Sequence, residues 1–509
     1  MSRAERPDVA ERVDRVLPGA SVYLDRKVVA ILFLGFASGL PLMLLGRTLT
    51  AWLSEAGVDK STIGLFGFVF APYAFKFAWA PIVDRIELPL FGRLGRRRGW
   101  LLLFQLCLVA SIFALGQVDP GSGLFLTACL SFLVAFFSAS QDIVIDAFRI
   151  EILRPEQQGA GSANVVTGYR VGMWVATAGA LFLADRVGWP ATYTAMAGLV
   201  LVGTVTALLT PEQRREPAPV AAGDTLAGRP SGRRYLGIVA GAAGLVGLLV
   251  GSTAAEFAAA GAGWWLGLVG GLAAAALVAV LGLAMRRMAA VRQTVIEPFQ
   301  DFLGRNGVAN ALLILAFISV FKSSDVLLTL MANPFYLEVG FTKSQIGVAS
   351  GTFGFLVTFV GSYIAGMLIY RIGLMRALWL SAVLMLASNL MFAVQAQAGA
   401  NYPLLFLTLF VENLSGGMGT TAFVAYLASL CDVRYTAVQY ALLTSFMQIL
   451  AKFVTVPSSG FLVDMMGWTP FFVASAAAGL PALGLLWLLG RRDLHPDLPA
   501  AGQGRTAHA

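Results

Sequence analysis

The chain has 509 residues, of which 58% are hydrophobic and only 13% are charged. An average soluble domain carries about 25% charged residues. The mean hydropathy is +0.76, and a soluble protein of this size could not bury so much apolar surface, so the solvent for most of the chain must be lipid. This composition excludes a soluble enzyme, a disordered chain and a fibrous protein. The net charge of +8 is interpreted as the Lys and Arg excess of cytoplasmic loops and not as a nucleic-acid surface.

Apolar runs of about 20 residues, the length that spans a bilayer as a helix, recur along the chain. We predict 14 transmembrane helices from them. In chain order they are 28–52, 61–83, 100–117, 123–148, 160–184, 190–209, 235–257, 262–285, 308–332, 345–370, 374–394, 401–430, 437–463 and 468–489.

The distribution of Lys and Arg predicts the orientation. With the N-terminus inside, 28 of the 36 basic residues fall in cytoplasmic segments and three in outside loops. This asymmetry predicts that both termini are cytoplasmic. Residues 1–27 carry no signal-peptide pattern, so we expect the first helix to remain as an anchor. The expected location is the inner (plasma) membrane.

Two sequence patterns occur twice. Gly-x-x-Lys-Ser-x-Ile-Gly stands at 57–64 and 340–347, and Leu-x-Asp-x-x-Gly-Trp stands at 183–189 and 462–468. The offsets of 283 and 279 residues are nearly equal, which indicates a duplication. Because each copy contains six spans, the copies are parallel in topology, which is the arrangement of major facilitator transporters.

The predicted fold is therefore an all-α polytopic membrane protein with the major facilitator fold and an inserted helix pair. The predicted segments are a cytoplasmic N-terminal segment (1–27), an N-terminal six-helix bundle (28–209), a cytoplasmic linker (210–234), the inserted transmembrane pair (235–285), a cytoplasmic interfacial segment (286–307), a C-terminal six-helix bundle (308–490) and a cytoplasmic tail (491–509).

Besides Glu256 of the inserted pair and Arg376 at the start of its span, nine charged side chains fall inside the predicted spans. A charge at the bilayer centre costs about 2.5–3.5 kcal/mol on insertion scales, so nine uncompensated charges would cost roughly 25 kcal/mol, more than the net stability of a typical protein. They must face each other, a substrate or water. They are Arg47, Lys76, Arg170, Lys322, Lys452, Asp142, Asp146, Asp325 and Glu412. For Arg47 and Lys76, snorkelling to the membrane surface is an equally good interpretation.

The carboxylates are the candidates for proton coupling. Asp142 and Asp146 are four residues apart and share a helix face, so their repulsion favours a proton on one of them. The alternative is an ion-pair latch with Arg149, Arg170 or cytoplasmic arginines; we favour the proton role for Asp142 and the latch for Asp146. Lys322 and Asp325 are three residues apart, and either they neutralise each other or Lys322 is held for an anionic substrate. Asp325 and Glu412 are the further candidates for proton coupling. Glu412 precedes a glycine-rich stretch that permits either close packing or local unwinding.

Polar residues near these carboxylates are candidates for substrate binding. They are Lys76, Gln141, Arg170, Lys322, Asn413, Gln439, Gln448 and Lys452.

A basic cluster between the second and third spans is a candidate gate, because major facilitators commonly place an Asp-Arg pair there. It comprises Asp84, Arg85, Arg96, Arg97 and Arg98. The two histidines lie in the C-terminal tail and no Cys-x-x-Cys motif occurs, so we expect neither a metal nor another cofactor.

At these residues the chain resembles the AmpG family of muropeptide permeases, a branch of the major facilitators. The most specific motifs are Ser-Gln-Asp-x-x-x-Asp-Ala at 140–147 and Glu-Asn-x-x-Gly-Gly-Met-Gly at 412–419. Further matching stretches are 35–42, 75–81, 84–85, 96–100, 168–173, 183–185 and 422–425. Arg47 departs from the family's pattern.

The resemblance implies proton-driven import of GlcNAc-1,6-anhydro-MurNAc, with or without peptide, for peptidoglycan recycling and, in some bacteria, β-lactamase induction. The implied partners are this substrate, protons and membrane lipids; no nucleic acid is expected, and the protein is expected to be a monomer and not an enzyme. One alternative is a major facilitator for another anionic metabolite, such as an acyl-CoA. A membrane-embedded enzyme would need a sizeable extramembrane domain or a metal-binding cluster, and a pigment-assembly factor of major facilitator type would lack these motifs.

Overall fold

The computed structural model describes residues 20–58, 62–63, 66–85, 88, 94–121, 123–210, 212, 297–450 and 462–492. All regular secondary structure in these ranges is helical. Within them, eight helical stretches are long and apolar enough to cross a membrane. The predicted inserted pair at 235–285 lies outside the described residues, so the number 14 stays a prediction. Residues 1–19, 286–296 and 493–509 and nearly all of the linker also lie outside them.

The N-terminal half begins with a 3-10 turn, Ala20–Leu24. Its helices are α1 (Arg26–Glu55, with a π turn at Leu44–Thr48), α2 (Ala71–Phe75), α3 (Ala80–Arg85), α4 (Arg96–Gly116), α5 (Leu124–Ile152), α6 (Gln158–Trp174, followed by a π turn at Val175–Gly179) and α7 (Ala180–Leu209).

The C-terminal half begins with a short helix that fits the predicted interfacial segment. Its helices are α8 (Glu297–Asn306), α9 (Val308–Phe321), α10 (Ser323–Val339), α11 (Lys343–Ile346, continuing into a π turn at Gly347–Phe353), α12 (Gly354–Ile372), α13 (Leu374–Ala398), α14 (Tyr402–Ser429), α15 (Thr436–Leu450), α16 (Trp468–Ala477) and α17 (Leu480–Arg491).

The predicted second span, 61–83, is a broken helix and not a continuous one. Its described part runs through 3-10 turns at Phe66–Phe70 and Lys76–Ala78, which flank α2 and precede α3. Pro81 is the second residue of α3 and lacks the N–H that would bond to the carbonyl of residue 77, which favours the start of a new helix at this point. The break places Lys76 in a tight turn and not on a helix face.

In both copies of each repeated motif, the glycine at the corresponding position has a positive φ. Gly188 interrupts α7 with φ of 77° and Gly467 precedes α16 with φ of 76°, and each is followed by a tryptophan. Gly57 and Gly340, which begin the other motif, also have positive φ, at 78° and 109°. Glycine is favoured where φ is positive because it has no Cβ. The shared conformation is what a structural duplication requires.

Glycines allow the closest helix contacts in each half. A Cβ at Gly39 on α1 would lie 2.0 Å from the carbonyl oxygen of Tyr169 on α6. A Cβ at Gly417 on α14 would lie 2.3 Å from the carbonyl oxygen of Thr358 on α12. Helix α14 is continuous through its glycine-rich stretch. Of the two interpretations of those glycines, the structure shows close packing and not unwinding.

The two halves meet along a small set of helices. Helix α6 packs against α12 and α14, and α15 packs against α2, α3, α5 and the Lys76–Ala78 turn. The residues predicted to be functional lie on these elements or beside them. The fold therefore places several of the predicted charged residues, among them Asp84 and Arg170, where the two halves face each other.

Candidate functional site

The first cluster of predicted residues lies in the N-terminal half, and we call it the Asp142 cluster: Lys76, Gln141, Asp142 and Asp146, with Ser38. Ser38 Oγ donates a hydrogen bond of 2.5 Å to Asp142 Oδ1. Gln141 Nε2 donates to the backbone oxygen of Ala37 at 2.9 Å. These bonds anchor both α5 side chains to α1.

Attraction between opposite charges stabilises the Asp142 cluster. Lys76 interacts electrostatically with both Asp142 and Asp146, and Lys76 is 8% exposed while Asp142 is 9% exposed. A buried charge is tolerated when an opposite charge and hydrogen bonds compensate for lost water. The structure therefore places Lys76 inside the protein beside the carboxylates, and the snorkelling interpretation does not apply to it. Arg47, by contrast, is exposed in the π turn of α1.

The second cluster lies in the C-terminal half, and we call it the Glu412 cluster: Lys322, Asp325, Glu412 and Asn413. Lys322 Nζ is 2.9 Å from Asp325 Oδ2 and also donates to Thr420 Oγ1 at 2.9 Å. Asn413 Nδ2 donates to Glu412 Oε2 at 2.9 Å. The predicted Lys322–Asp325 contact is thus present.

Arg170 connects the two halves. It projects from α6 of the N-terminal half and interacts electrostatically with Asp325 and Glu412 of the C-terminal half. Because a guanidinium is always charged and binds carboxylates through several donors, it attracts the C-terminal carboxylates across the interface. If the two halves separate here, the environments of Arg170 and Glu412 change together. The charge state of Glu412 can then depend on whether the halves are in contact.

One end of the bundle carries a second contact between the halves, and we call it the Asp84 end. The Asp84 carboxylate accepts hydrogen bonds from the backbone N–H groups of Ala437 (3.3 Å) and Val438 (2.9 Å) at the start of α15. The first N–H groups of a helix have no partner within the helix and attract anions. Asp84 of the N-terminal half therefore caps a helix of the C-terminal half.

The predicted arginines of the Asp84 end bond mostly within the N-terminal half. Arg97 is fully buried, 2.6 Å from Asp84 and 2.5 Å from Glu151. Arg96 donates to the backbone oxygen of Asp84 and Arg98 to the backbone oxygens of α7. The backbone of Arg85 is described but its side chain is not. Arg97 holds the Asp84 carboxylate in place, and the sequence prediction of this group did not include Glu151.

The sequence profile of the Major Facilitator Superfamily matches residues 31–331 and 312–507. An anhydromuropeptide permease of Escherichia coli (strain K12) is 35% identical over 468 residues, which are 91% of this chain and 80% of that protein. The chain belongs to the AmpG family of major facilitator permeases.

Other similarities are consistent with this membership. A protein of Rickettsia conorii named putative transporter AmpG 4 is 29% identical, with 92% of this chain and 98% of that protein covered. The solved proton:xylose symporter XylE superposes with a TM-score of 0.56 at 11% identity, over 92% of this chain and 94% of that one. The human organic anion transporter MFSD10 gives 0.52 at 15% identity, over 94% of this chain and all of that one. The last two likenesses establish the fold alone.

Besides Arg170, which connects the halves, three predicted substrate-binding residues of this AmpG family member are not part of either cluster as described. Gln439 lies at the Asp84 end, bonded to α8. The side chain of Gln448 and all of Lys452 lie outside the described residues. Arg149, considered only as a latch partner, is fully buried and donates to Ser162 and Tyr440. Its position on the same helix face as Asp142 and Asp146 was the signal in the sequence.

Proposed function

We propose that the protein imports anhydromuropeptides, that is GlcNAc-1,6-anhydro-MurNAc with or without attached peptide, from the periplasm into the cytoplasm. The supporting observation is the 35% identity to an anhydromuropeptide permease over 91% of the chain. The product of this import would enter peptidoglycan recycling and, in some bacteria, signal β-lactamase induction. In this proposal the protein is a monomeric transporter of the inner membrane and not an enzyme.

The mechanism we propose is alternating access with the Asp84 end on the cytoplasmic side. The Lys and Arg excess of the predicted inside segments supports this orientation. The contacts of Asp84 with α15 close that end, so the described conformation would receive substrate from the periplasm. Opening would break these contacts, and the N–H groups of Ala437 and Val438 would then bond to water.

Arg170 is the proposed partner of a substrate carboxylate. It is attracted to Asp325 and Glu412 in the described conformation, and a peptide carboxylate would compete with them for the same guanidinium. Asn413 and Gln141 are proposed to bind substrate hydroxyl and amide groups once the halves separate. Lys322 is engaged by Asp325 and Thr420, so its proposed role is to hold Asp325 near Arg170.

Proton coupling is proposed to run through the buried carboxylates, with Asp142 as the central one. Each inward-moving positive charge gains about 2.3 kcal/mol per 100 mV of membrane potential. One proton per substrate carboxylate would cancel the charge and remove the electrical penalty of importing an anion. Asp146, Asp325 and Glu412 are the further candidates.

The test is uptake of labelled anhydromuropeptide into proteoliposomes, with and without an imposed pH gradient. We expect accumulation that requires the gradient and is abolished by an uncoupler. Asp142→Asn is expected to lose gradient-driven accumulation while retaining exchange of internal for external substrate. Gradient-driven accumulation at the parent rate by Asp142→Asn would contradict its role, and transport of an acyl-CoA without transport of anhydromuropeptide would favour the alternative substrate class.

A further inference from the structure

Gln439 is a buried amide with every hydrogen-bonding position filled. It is 1% exposed and lies in the first turn of α15. Its Nε2 donates to the backbone oxygen of Pro298 at 3.0 Å and to Asp301 Oδ2 at 3.1 Å. Its Oε1 accepts from Arg305 Nη2 at 3.2 Å and from the backbone N–H of Asp432 at 2.6 Å. An amide has two donor hydrogens and two acceptor lone pairs, so none remains for a substrate.

The partners of Gln439 form one polar junction inside the C-terminal half. Pro298, Asp301 and Arg305 belong to α8, whereas Asp432 lies in the turn between α14 and α15. Asp301 also accepts from Arg305 at 2.8 Å and from Arg434 of that turn at 3.1 Å. Helix α8 is therefore fastened to the start of α15 by buried and half-buried polar contacts.

The residues on either side of Gln439 contact the N-terminal half. Ala437 and Val438 donate their N–H groups to Asp84. Tyr440 Oη accepts from Arg149 Nη2 at 3.4 Å, and the guanidinium carbon lies 5.6 Å from the centre of the Tyr440 ring. This helical turn thus directs the backbone N–H groups of Ala437 and Val438 and the Tyr440 hydroxyl group toward the N-terminal half. The Gln439 side chain of the same turn is bonded to α8.

We propose that Gln439 is a positioning residue through which α8 holds the first turn of α15 in register with Asp84. First turns fray easily because their N–H groups have no partner within the helix. The hydrogen bonds from Ala437 and Val438 to Asp84 require that this turn stay in place, and the four bonds of Gln439 supply the restraint. The segment entering the C-terminal half thereby sets how firmly the Asp84 end stays closed. This inference does not depend on which substrate is carried.

The test measures closure directly. Tyr23 and Tyr363 lie on opposite sides of the interface with ring centres 5.2 Å apart. The reporter protein carries Tyr23→Cys and Tyr363→Cys, and its native Cys107, Cys129 and Cys431 are replaced by Ser. A short bifunctional thiol reagent then crosslinks the two introduced cysteines when the Asp84 end is closed. The full-length reporter protein is crosslinked in membranes. Folded protein is quantified separately by size-exclusion chromatography in detergent.

Gln439→Leu is expected to lower the crosslinking rate at least threefold. Gln439→Glu should lower it as well, because a carboxylate cannot donate to Pro298 and would face Asp301. Adding Asp301→Asn to Gln439→Glu exchanges the positions of the amide and the acid and is expected to restore part of the rate. A purely structural defect would not be rescued in this way.

The matched control is Gln395→Leu. Gln395 is also a fully buried glutamine bonded to backbone oxygens, but those belong to Gly399 and Asn401, at the far end of α13. It should leave the crosslinking rate of folded protein unchanged. Folded Gln439→Leu that crosslinks like the reporter protein would overturn the proposal, as would a reporter protein that does not crosslink.

A second variant covers the case in which Gln439→Leu does not fold. Arg305→Gln removes one bond to Gln439 from a half-exposed side chain, so the protein should fold. It is expected to lower the crosslinking rate about twofold, and an unchanged rate would then overturn the proposal.

Discussion

Replacement of Asp84 by asparagine should open the Asp84 end. The Asp84 side chain is 4% exposed, and its carboxylate accepts from Ala437, Val438 and Arg97. Asparagine keeps one acceptor oxygen, so one of the two backbone bonds to α15 is lost and the other is no longer assisted by charge. The Arg97 contact lies within the N-terminal half, so we expect it to persist when this end opens and to cancel from the comparison.

The magnitude follows from the bonds between the halves. A hydrogen bond to a charged group contributes about 1.5–3 kcal/mol, and a neutral one about 0.5–1.5 kcal/mol. Loss of one charged bond and weakening of the other therefore costs the closed conformation about 2–4 kcal/mol. Since about 1.4 kcal/mol is a factor of ten in an equilibrium constant, the ratio of closed to open protein should fall roughly 30- to 1,000-fold.

The assay is the crosslinking of Tyr23→Cys with Tyr363→Cys described above, with Glu151→Gln as the matched control. Glu151 bonds to Arg97 at 2.5 Å, from the same half, so the control removes a charge from the same network without removing the contact of Asp84 with α15. We expect crosslinking to collapse in Asp84→Asn and to persist in Glu151→Gln. Equal crosslinking in Asp84→Asn and the reporter protein, or an equal loss in both variants, would refute the assignment of Asp84 as the contact that closes this end.

Three further predictions concern packing, pH and charge. Gly417→Ala places a Cβ 2.3 Å from a carbonyl oxygen of α12 and should cost about 1–3 kcal/mol, seen as a lower melting temperature, whereas Gly416→Ala, whose Cβ meets nothing within 4 Å, should not lower it. Burial alone would raise the pKa of Asp432, but hydrogen bonds from Arg434 lower it below its usual value. The stability that this pair contributes should therefore be full above about pH 4 and lost as the pH falls further. In Asp432→Asn, the acid-induced loss of stability measured by thermal unfolding should be smaller. Arg170→Gln should abolish uptake in the proteoliposome assay without preventing folding, while Arg170→Lys should keep part of it; full uptake by Arg170→Gln would contradict the proposed substrate contact.

The helical architecture was predictable because apolar length alone identifies a membrane helix. The prediction failed locally at 61–83, where the apolar run is long enough but Pro81 removes a backbone donor. Pro81 is visible in the sequence and signals a break, but the prediction gave more weight to the length of the apolar run. The domain boundaries predicted around the inserted pair stay predictions.

The charged clusters were predictable for a different reason. A buried charge in lipid must find a partner, and spacings of three or four residues identify partners within one helical segment. Lys322 and Asp325 are such a pair, with Lys322 at the junction of α9 and α10. Partners on different helices could not be inferred in this way. Gln439 and Asp301 are 138 residues apart, and no periodicity relates α8 to α15, so Gln439 was grouped with the substrate-binding candidates because it is polar and lies in a predicted span.

Charge balance supports the proposal that both clusters take part in one transport cycle. Arg170, Lys322, Asp325 and Glu412 sum to zero when all are ionised, so a substrate carboxylate entering among them adds a negative charge that the cluster does not neutralise. The Asp142 cluster contains two carboxylates against Lys76 and nearby Arg149, so it has no spare positive charge to offer either. A proton taken up by any of these carboxylates restores neutrality in the loaded state. The proposed coupling of substrate to proton is consistent with this count of fixed charges. Arg170, which interacts across the interface, is the residue at which we expect the count to affect transport most.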